Sequence, residues 1–371
     1  MKAAVLKAFG SPLVVEEVAS PVLGTGEVIV DMFAVDVLAY ARDVYSGRRQ
    51  MLLETPVIPG TGGVGRVREI GPDATKLSVG DWVLCDPTIR SRDDVLAPDI
   101  TLQGLSAGGE GGLRLQRFHH DGSYAEQMRT PTENVFRIGD IDPVDAPYWV
   151  SLSKLMVPYG GLLSIDFAAG ETLVVNGATG KFGGAAVEIA LAMGAAWVIA
   201  TGRSTAALEA LSRRFGPRVL TVAMSGDEAG DRAAILRTAP GPIDCVFDIL
   251  PPMATQSQVR AAVLTVRPGG RVSLMGGVGM EGGDDLALPY RWLMRNNINL
   301  RGQWMYPPWA VVRMIAMARS GLIDLKLRDV QTYALDDIHD AVEHAAVSAG
   351  PFQMTVVLPQ PSSHGIGAAS T

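Results

Sequence analysis

A glycine-dense turn between a strand pattern and a helix pattern constrains the fold of this chain more than any other feature. The β-branched run Leu173–Val175 leads into the turn, and apolar residues at helical spacing follow from Val187 onward. A strand, a tight turn and a helix in this order direct backbone N–H groups and a helix N-terminus at a diphosphate. The sequence therefore predicts a dinucleotide site, with these residues around the diphosphate: Gly177, Ala178, Thr179, Gly180, Lys181, Phe182 and Gly183.

The second strand of this half ends in a basic tip. The pattern Trp197–Ala200 is followed by Gly202, Arg203 and Ser204, with no carboxylate among them. In NAD-binding proteins an acidic residue, about 20 positions after the turn, accepts a hydrogen bond from the ribose 2′-hydroxyl. A guanidinium and a hydroxyl suit a 2′-phosphate instead. The tip favours NADP(H) over NAD(H), against the alternative that Arg203 is an ordinary solvated arginine.

Composition argues against several classes of partner. The formal net charge is −7 without a basic stripe, which is unlike proteins that bind nucleic acids or anionic membranes. No apolar run reaches the roughly 18 residues that cross a bilayer, and the short N-terminal apolar stretch predicts a strand rather than a signal peptide. Cys85 and Cys245 lie in strand patterns, so we expect buried free thiols and a cytoplasmic protein.

The predicted secondary-structure pattern changes near residue 150. Before it, β-branched runs separated by Gly and Pro predict a β-rich domain, with strands at Val14–Val18, Glu27–Ala34, Gly63–Ile70 and Trp82–Cys85. After it, strand and helix patterns alternate, which indicates a doubly wound parallel sheet. We therefore place a β-rich domain in residues 1–150 and 309–358, a nucleotide-binding domain in residues 151–308, and a disordered tail in residues 359–371.

Residues 87–121 show little periodicity around a glycine-rich centre. A substrate lid and a plain surface loop are equally good interpretations of such a segment. The pair His119 and His120 does not predict a metal site, because adjacent side chains point apart in extended structure and no nearby cysteine completes a ligand set.

The order of these features resembles the medium-chain dehydrogenase/reductase superfamily over residues 1–359. The motifs that carry the resemblance are Pro56–Val67, Gly80–Val83, the glycine turn and Pro268–Gly276. The resemblance implies an α/β fold, in which a GroES-like β-rich catalytic domain accompanies a Rossmann domain with a doubly wound parallel sheet. It also implies a homodimer through the edge strand near residues 298–302 and a nicotinamide ring beside Leu250, Met275, Gly276 and Gly277.

The chain departs from the zinc alcohol dehydrogenases within that superfamily. Leu38, Thr61 and Ser153 stand where the catalytic zinc ligands would be, and none of them is a good zinc ligand. The four-cysteine lobe of a structural zinc is also missing. The chain is similar to the zinc-free, quinone oxidoreductase-like branch, whose members are largely NADPH-dependent quinone and enone reductases. A conjugated carbonyl or a quinone accepts hydride without a Lewis acid, so we expect no zinc and a reaction of this type.

The resemblance also implies catalytic and substrate residues. Tyr40 and Asp43 match a proton relay, and Lys154 follows the third zinc-ligand position. Tyr40 either donates a proton or only lines the pocket. Lys154 either acts as an acid or only forms an ion pair. Asp248 is expected to cap a turn. Large aromatic side chains are expected where the two domains meet, namely Trp149, Trp304, Tyr306 and Trp309. They would suit an aromatic or cyclic substrate, and interdomain packing is an equal alternative.

Two other functions remain open at this point. One is a zinc-free, NADP-dependent alcohol or ketone dehydrogenase that uses Tyr40, Asp43 and Lys154 in place of the metal. The other is a protein that binds NADPH as a sensor or interaction partner without turnover.

Overall fold

The computed structural model describes residues 1–348 and 350–360, which form two compact units. The first unit contains residues 1–153, 325–348 and 353–360, and the second contains residues 154–324 and 350–352. From residue 361 onward, the tail that was expected to be disordered lies outside the described residues.

The strands are numbered in chain order. They are β1 (Lys2–Leu6), β2 (Leu13–Glu17), β3 (Glu27–Asp36), β4 (Gly63–Ile70), β5 (Trp82–Cys85), β6 (Thr88–Arg90), β7 (Ile100–Leu102), β8 (Ser106–Ala107), β9 (Gln127–Pro131), β10 (Val135–Arg137), β11 (Thr172–Asn176), β12 (Trp197–Gly202), β13 (Val219–Ala223), β14 (Cys245–Asp248), β15 (Arg271–Leu274), β16 (Asn299–Gly302), β17 (Asp329–Ala334) and β18 (Gln353–Leu358).

The helices are numbered in the same way. None of those described is both long and apolar enough to cross a bilayer. They are α1 (Ala41–Tyr45), α2 (Glu110–Phe118), α3 (Ala146–Trp149), α4 (Leu152–Ser164), α5 (Lys181–Ala192), α6 (Thr205–Phe215), α7 (Glu228–Thr238), α8 (Gln256–Val263), α9 (Tyr290–Arg295), α10 (Trp309–Arg319) and α11 (Ile338–Val347), with short 3₁₀ turns at Thr132–Asn134, Pro143–Asp145, Leu325–Leu327 and Leu335–Asp337.

The first unit is built on antiparallel sheet, as its β-branched runs predict. Among its described residues the main sheet has the order β10-β5-β4-β3-β18-β17, and β9 also pairs with β3. Strand β3 is antiparallel to β4, β9 and β18, whereas β17 and β18 run parallel. The ten residues of β3 are buried almost throughout, because neighbouring strands cover both of its edges and the core covers its faces.

The second unit is a six-stranded parallel sheet in the described part of the chain. Its order is β13-β12-β11-β14-β15-β16, and each neighbouring pair is parallel. Helices cover the faces of such a sheet, so its central strands are continuously apolar. The predicted α/β architecture is confirmed, and its core includes fully buried residues from the four central strands, among them Val174, Ile199, Val246 and Val272.

The units differ from the expected domains chiefly at helix α10, and also at residues 151–153 and 350–352. Helix α10 belongs to the second unit, whereas the sequence interpretation began the return to the first domain at residue 309. Arg313 on α10 hydrogen-bonds Tyr159 on α4, within the same unit. The return to the first unit begins only at Leu325.

Residues 87–121 are more regular than their sequence indicates. Strands β6, β7 and β8 form a small antiparallel sheet, and α2 packs beside it. A β-carbon at Gly112 would come to 2.1 Å from the carbonyl oxygen of Ile100, so this helix approaches β7 at a glycine. The glycines that lower helix propensity are the residues that permit the close packing, which is why the pattern predicted a loop.

Candidate cofactor site

The glycine turn that follows β11 is shaped by one left-handed residue. Gly177 has φ 93°, a conformation that favours glycine. The N–H of Ala178 donates to the carbonyl oxygen of Thr201 at 2.8 Å, which fixes the turn beside the end of β12. Helix α5 then begins at Lys181, and its N-cap, Gly180, provides no side-chain acceptor. The first N–H groups of α5 are therefore left without a side-chain cap, as an anion site at a helix N-terminus requires.

The first turn of α5 lies directly on the glycine turn. A β-carbon at Gly183 would come to 2.0 Å from the carbonyl oxygen of Gly177 and 2.7 Å from the α-carbon of Ala178. A β-carbon at Gly180, in contrast, would meet nothing closer than 3.7 Å. Gly183 thus allows helix and strand to pack, whereas Gly180 faces open space where a ligand can approach the backbone.

The basic tip of β12 is exposed and close to the turn. A β-carbon at Gly202 would come to 2.3 Å from Cγ2 of Thr179, so the tip and the turn touch through a glycine. Arg203 is exposed. Ser204 is the N-cap of α6 and accepts a hydrogen bond from the N–H of Ala207 at 3.3 Å. Its hydroxyl proton is not used in that bond and can still be donated to a ligand.

A buried hydrogen-bond chain joins the carboxyl ends of three neighbouring strands. The hydroxyl of Thr201 on β12 donates to Oδ1 of Asn176 on β11 at 2.9 Å. Nδ2 of Asn176 donates to Oδ1 of Asp248 on β14 at 2.7 Å. The sheet register places Asn176 directly beside both partners. Because each of the three residues lies at or next to the end of its strand, these hydrogen bonds fix the positions of the segments that follow β11, β12 and β14 relative to one another.

The segments after β14 and β15 are bonded to each other. The N–H of Gly277 donates to the carbonyl oxygen of Leu250 at 2.8 Å, and the N–H of Met275 donates to that of Asp248 at 3.0 Å. A cavity of about 850 Å³ lies in the same unit and is lined mainly by residues 252–257 and 278–284. This volume falls within the range of small-molecule sites. The predicted nicotinamide contacts Leu250, Met275, Gly276 and Gly277 lie on these two segments, which hydrogen-bond to each other.

Two family models match the chain. An alcohol dehydrogenase GroES-like domain matches residues 24–140, within the first unit, and a zinc-binding dehydrogenase model matches residues 182–319, within the second. Together they match more than half of the chain. The chain belongs to the medium-chain dehydrogenase/reductase superfamily.

Curated members of the superfamily resemble the chain at modest identity. An alcohol dehydrogenase from Geobacillus stearothermophilus is 30% identical over 52% of this chain, and the match spans 56% of that relative. An L-threonine 3-dehydrogenase from Streptomyces coelicolor is 25% identical over 94% of this chain and 97% of its own length. The chain thus spans little more than half of the first relative and nearly all of the second.

Solved structures show the same fold. A protein described as a zinc-binding dehydrogenase from Sinorhizobium meliloti 1021, in complex with NADP, has a TM-score of 0.77 and 20% identity. The match covers 96% of this chain and 99% of that one. At this identity the likeness shows the fold alone.

The residues that the resemblance aligns with catalytic zinc ligands are poor donors for that metal. The hydroxyl of Ser153 donates to the carbonyl oxygen of Val150 at 2.7 Å, and Leu38 has no ligating atom. Across residues 1–348 and 350–360, no three His, Cys, Asp or Glu side chains form a group that could hold a metal ion. The donor set is therefore unlike a zinc site, where thiolates and imidazoles dominate.

The predicted relay residues lie in the first unit but bond to different partners. The guanidinium carbon of Arg49 lies 4.1 Å from the ring centroid of Tyr40. Burial raises the pKa of Tyr40 above its usual value of 10; the charge of Arg49 lowers it and Asp36 raises it. Asp43 is instead paired with Arg48 and is partly exposed. The structure therefore supplies a protonated phenol, while the second relay group is engaged by an arginine.

The remaining predicted residues are divided between the units. Trp149 is buried in the first unit, and Lys154 on α4 is buried in the second. Tyr306 is buried against α4, where a β-carbon at Gly160 would come to 2.8 Å from its Cβ. Trp304 and Trp309 are about half exposed. The four rings that were predicted to form one pocket thus differ widely in exposure, and Tyr306 packs as a core residue.

A separate cavity of about 560 Å³ lies in the first unit, and its lining includes His119, His120, Gln103 and Arg129. His120 bonds Asp121 through Nδ1 at 2.9 Å, whereas Nδ1 of the buried His119 has no hydrogen-bond partner among the described residues. Sequence patterns gave no signal for this cavity, because it forms between segments that lie far apart along the chain.

Proposed function

We propose that this chain is a zinc-independent, NADPH-dependent oxidoreductase that reduces an activated C=C bond or a quinone. The observation that carries the proposal is the edge of the second unit, where an uncapped helix N-terminus stands beside a basic tip without a carboxylate. The superfamily membership and the NADP of one structural neighbour support a nicotinamide cofactor. The poor zinc donor set supports a substrate that needs no Lewis acid.

Each part of the edge has a role in holding the cofactor. The N–H groups at the start of α5 would bind the diphosphate, with Lys181 beside them. Arg203 would pair with the 2′-phosphate through charge-assisted hydrogen bonds, and Ser204 would donate its free hydroxyl proton. The backbone near Leu250 and Gly276 would support the nicotinamide ring. NADPH, when bound, supplies the hydride from its nicotinamide C4.

Tyr40 is the proposed proton donor of the first unit. A phenol with a raised pKa stays protonated at neutral pH, so it can donate a hydrogen bond to a substrate oxygen and later a proton to an enolate. Arg49 over its ring stabilises the phenolate that would result.

The direct experiment is turnover of a substrate panel by the purified protein. Enones and quinones should be reduced with NADPH, NADPH should be preferred over NADH, and a chelator should leave the rate unchanged. Restored activity on adding zinc to a chelated, inactive sample would reject zinc independence. Equal efficiency with NADH would reject the role of the tip.

A second candidate is favoured by the names of the curated relatives. Alcohol and L-threonine dehydrogenases oxidise alcohols, so a zinc-free NADP-dependent alcohol or ketone dehydrogenase is the alternative activity. Its proton relay would need Asp43, which here pairs with Arg48. Oxidation of secondary alcohols by NADP⁺ after chelation, without reduction of enones, would favour it. Binding of NADPH without any turnover would favour a sensor instead.

We also expect a homodimer through β16. All four residues of this edge strand are exposed, and a bare strand edge presents backbone groups that a second copy can pair with. A dimer mass in solution that reverts to monomer when Leu300 is replaced by proline would support this interface.

A further inference from the structure

The second unit buries a carboxyl group at the cofactor edge that the proposed reaction does not use. Asp248, the last residue of β14, is 2% exposed. Burial raises its pKa from 3.8 to about 7, although hydrogen bonds from Asn176 and from the N–H of Leu250 oppose this. A group of this kind changes its charge near neutral pH.

The carboxyl is held rigidly between the two segments that carry the nicotinamide half of the site. Its Oδ1 accepts a hydrogen bond from Nδ2 of Asn176. Its Oδ2 lies against Gly276, since a β-carbon added at Gly276 would come to 2.7 Å from that oxygen. Asn176 also donates to the carbonyl oxygen of Gln258 on α8 at 3.2 Å and accepts from Thr201. These contacts leave the carboxyl group little freedom to turn away when its charge changes.

The sheet topology places β14 on the side of the sheet where the nicotinamide half of a dinucleotide would bind. The chain leaves β11 towards β12 and β13 on one side and continues with β14 and β15 on the other, so the order reverses between β11 and β14. A dinucleotide binds across such a switch point at the carboxyl ends of the strands. Because the basic tip of β12 takes the adenosine half, the nicotinamide half lies towards β14 and β15.

The charge of the nicotinamide ring depends on its oxidation state. The oxidised ring carries a positive charge and the reduced ring does not. A buried carboxylate at the same end of the sheet attracts the oxidised ring, whereas a protonated carboxyl does not discriminate between the two forms. Binding of the oxidised form must then favour loss of the proton by linkage.

We propose that Asp248 couples a proton to the redox form of the bound cofactor, so that the protein prefers the reduced form increasingly as the pH falls. This inference rests on the proposed function, because it needs a nicotinamide dinucleotide at this edge. It adds a residue that selects between the two redox forms through its charge.

No charged neighbour complicates the titration of this group. Strand β11 presents the amide of Asn176, the segment after β14 presents the N–H of Leu250, and the segment after β15 presents Gly276. Helix α8 reaches the network through a backbone carbonyl. Among the described residues, burial and two hydrogen bonds are the causes of the shifted pKa, and no charged side chain contributes.

The test is the ratio of two dissociation constants as a function of pH. The Kd of NADPH divided by the Kd of NADP⁺ should rise at least about five-fold from pH 5.5 to 8.5 in the wild-type protein. Titration of the 2′-phosphate affects both forms equally and cancels in the ratio. Asp248→Asn should make the ratio flat within about two-fold. Asp244→Asn removes a carboxylate just before β14, at the end of the strand opposite to Asp248, where Asp244 pairs with Arg267; this variant should keep the wild-type slope.

A second measurement needs no variant. Calorimetric titrations at pH 7 in buffers of different ionisation enthalpy should show more proton uptake on binding NADPH than on binding NADP⁺. Equal uptake, or a flat ratio in the wild-type protein, overturns the inference while cofactor binding stands. A wild-type slope in Asp248→Asn also overturns it. If neither NADP(H) nor NAD(H) binds at any pH, the proposed function fails and this inference fails with it.

Discussion

Gly183 lies so close to Gly177 that a β-carbon on the first would come to 2.0 Å from the carbonyl oxygen of the second. Contacts of this kind do not occur between real atoms, so any side chain at Gly183 must push α5 away from β11. The start of the helix and the glycine turn would then no longer present their N–H groups to one point. This contact gives the most direct test of the proposed cofactor site around the glycine turn and the start of α5.

Gly183→Ala is therefore expected to lower the free energy of unfolding by about 1–3 kcal/mol and to weaken NADPH binding at least about ten-fold. Gly180→Ala is the matched control for stability, because its β-carbon meets nothing closer than 3.7 Å. Because Gly180 is the N-cap of α5, where alanine is less favourable than glycine, that control should lose at most about 1 kcal/mol. Denaturant titration and fluorescence titration with NADPH measure the two effects, and an unchanged Gly183→Ala protein would contradict the packing argument.

Arg203 should decide between the two dinucleotides. A charge-assisted hydrogen bond contributes about 1.5–3 kcal/mol, so Arg203→Ala should weaken NADPH binding about 10–100-fold and leave NADH binding nearly unchanged. The residue is exposed, so the fold should not suffer. Arg213→Ala, on the adjoining helix and paired only at the surface with Glu209, should alter neither affinity. Equal losses for NADPH and NADH would show that Arg203 has no part in selecting the phosphate.

Local patterns predicted several strands well. The predicted strands Gly63–Ile70 and Trp82–Cys85 have the same bounds in the structure, since turn residues bound each run. Helix α2 was missed because its glycines serve packing against β7 rather than a turn. Propensity alone cannot distinguish these two uses of glycine.

The buried chain at the strand ends could not be predicted from the sequence. Asn176 and Asp248 are separated by 72 positions along the chain, and only the register of two parallel strands brings them to 2.7 Å. The sequence indicated a turn cap at Asp248, and the bond from the N–H of Leu250 agrees with that role. Its burial, and hence its unusual pKa, depends on neighbours from β11, β15 and α8. Long-range register of this kind leaves no local pattern.

Tyr40 offers a test of proton transfer. Tyr40→Phe should lower kcat at least about 100-fold with little change in KM, because the phenol proton is lost while the ring and its contact with Arg49 remain. Since burial raises the pKa of this phenol above 10, wild-type activity should not fall on the alkaline side through loss of this proton below pH 10. Tyr148→Phe, a partly exposed tyrosine of the same unit, should behave like the wild type. A wild-type kcat in Tyr40→Phe would show that Tyr40 does not transfer a proton and only lines the pocket.

His119 should make the stability of the protein depend on pH in the acid range. Burial, followed by the charges of Arg129 and Arg92, lowers the pKa of His119 from 6.5 to about 4. Between these two pH values the unfolded chain binds a proton that the folded chain refuses, so stability rises with pH across this window. The contribution is fully present above pH 6.5 and is lost as the pH falls towards 4.

His119→Gln removes this linkage while keeping a side chain of similar polarity. Denaturant unfolding at several pH values from 4 to 7.5 should show a shallower loss of stability in the variant, with a difference on the order of 2–3 kcal/mol across the window. His120 provides the opposite control, because its hydrogen bond with Asp121 raises its pKa. Stability gained from that pair is present at low pH and lost as the pH rises, so His120→Gln should steepen the acid loss. Parallel curves for the wild type and His119→Gln would show that His119 is accessible to protons in the folded state.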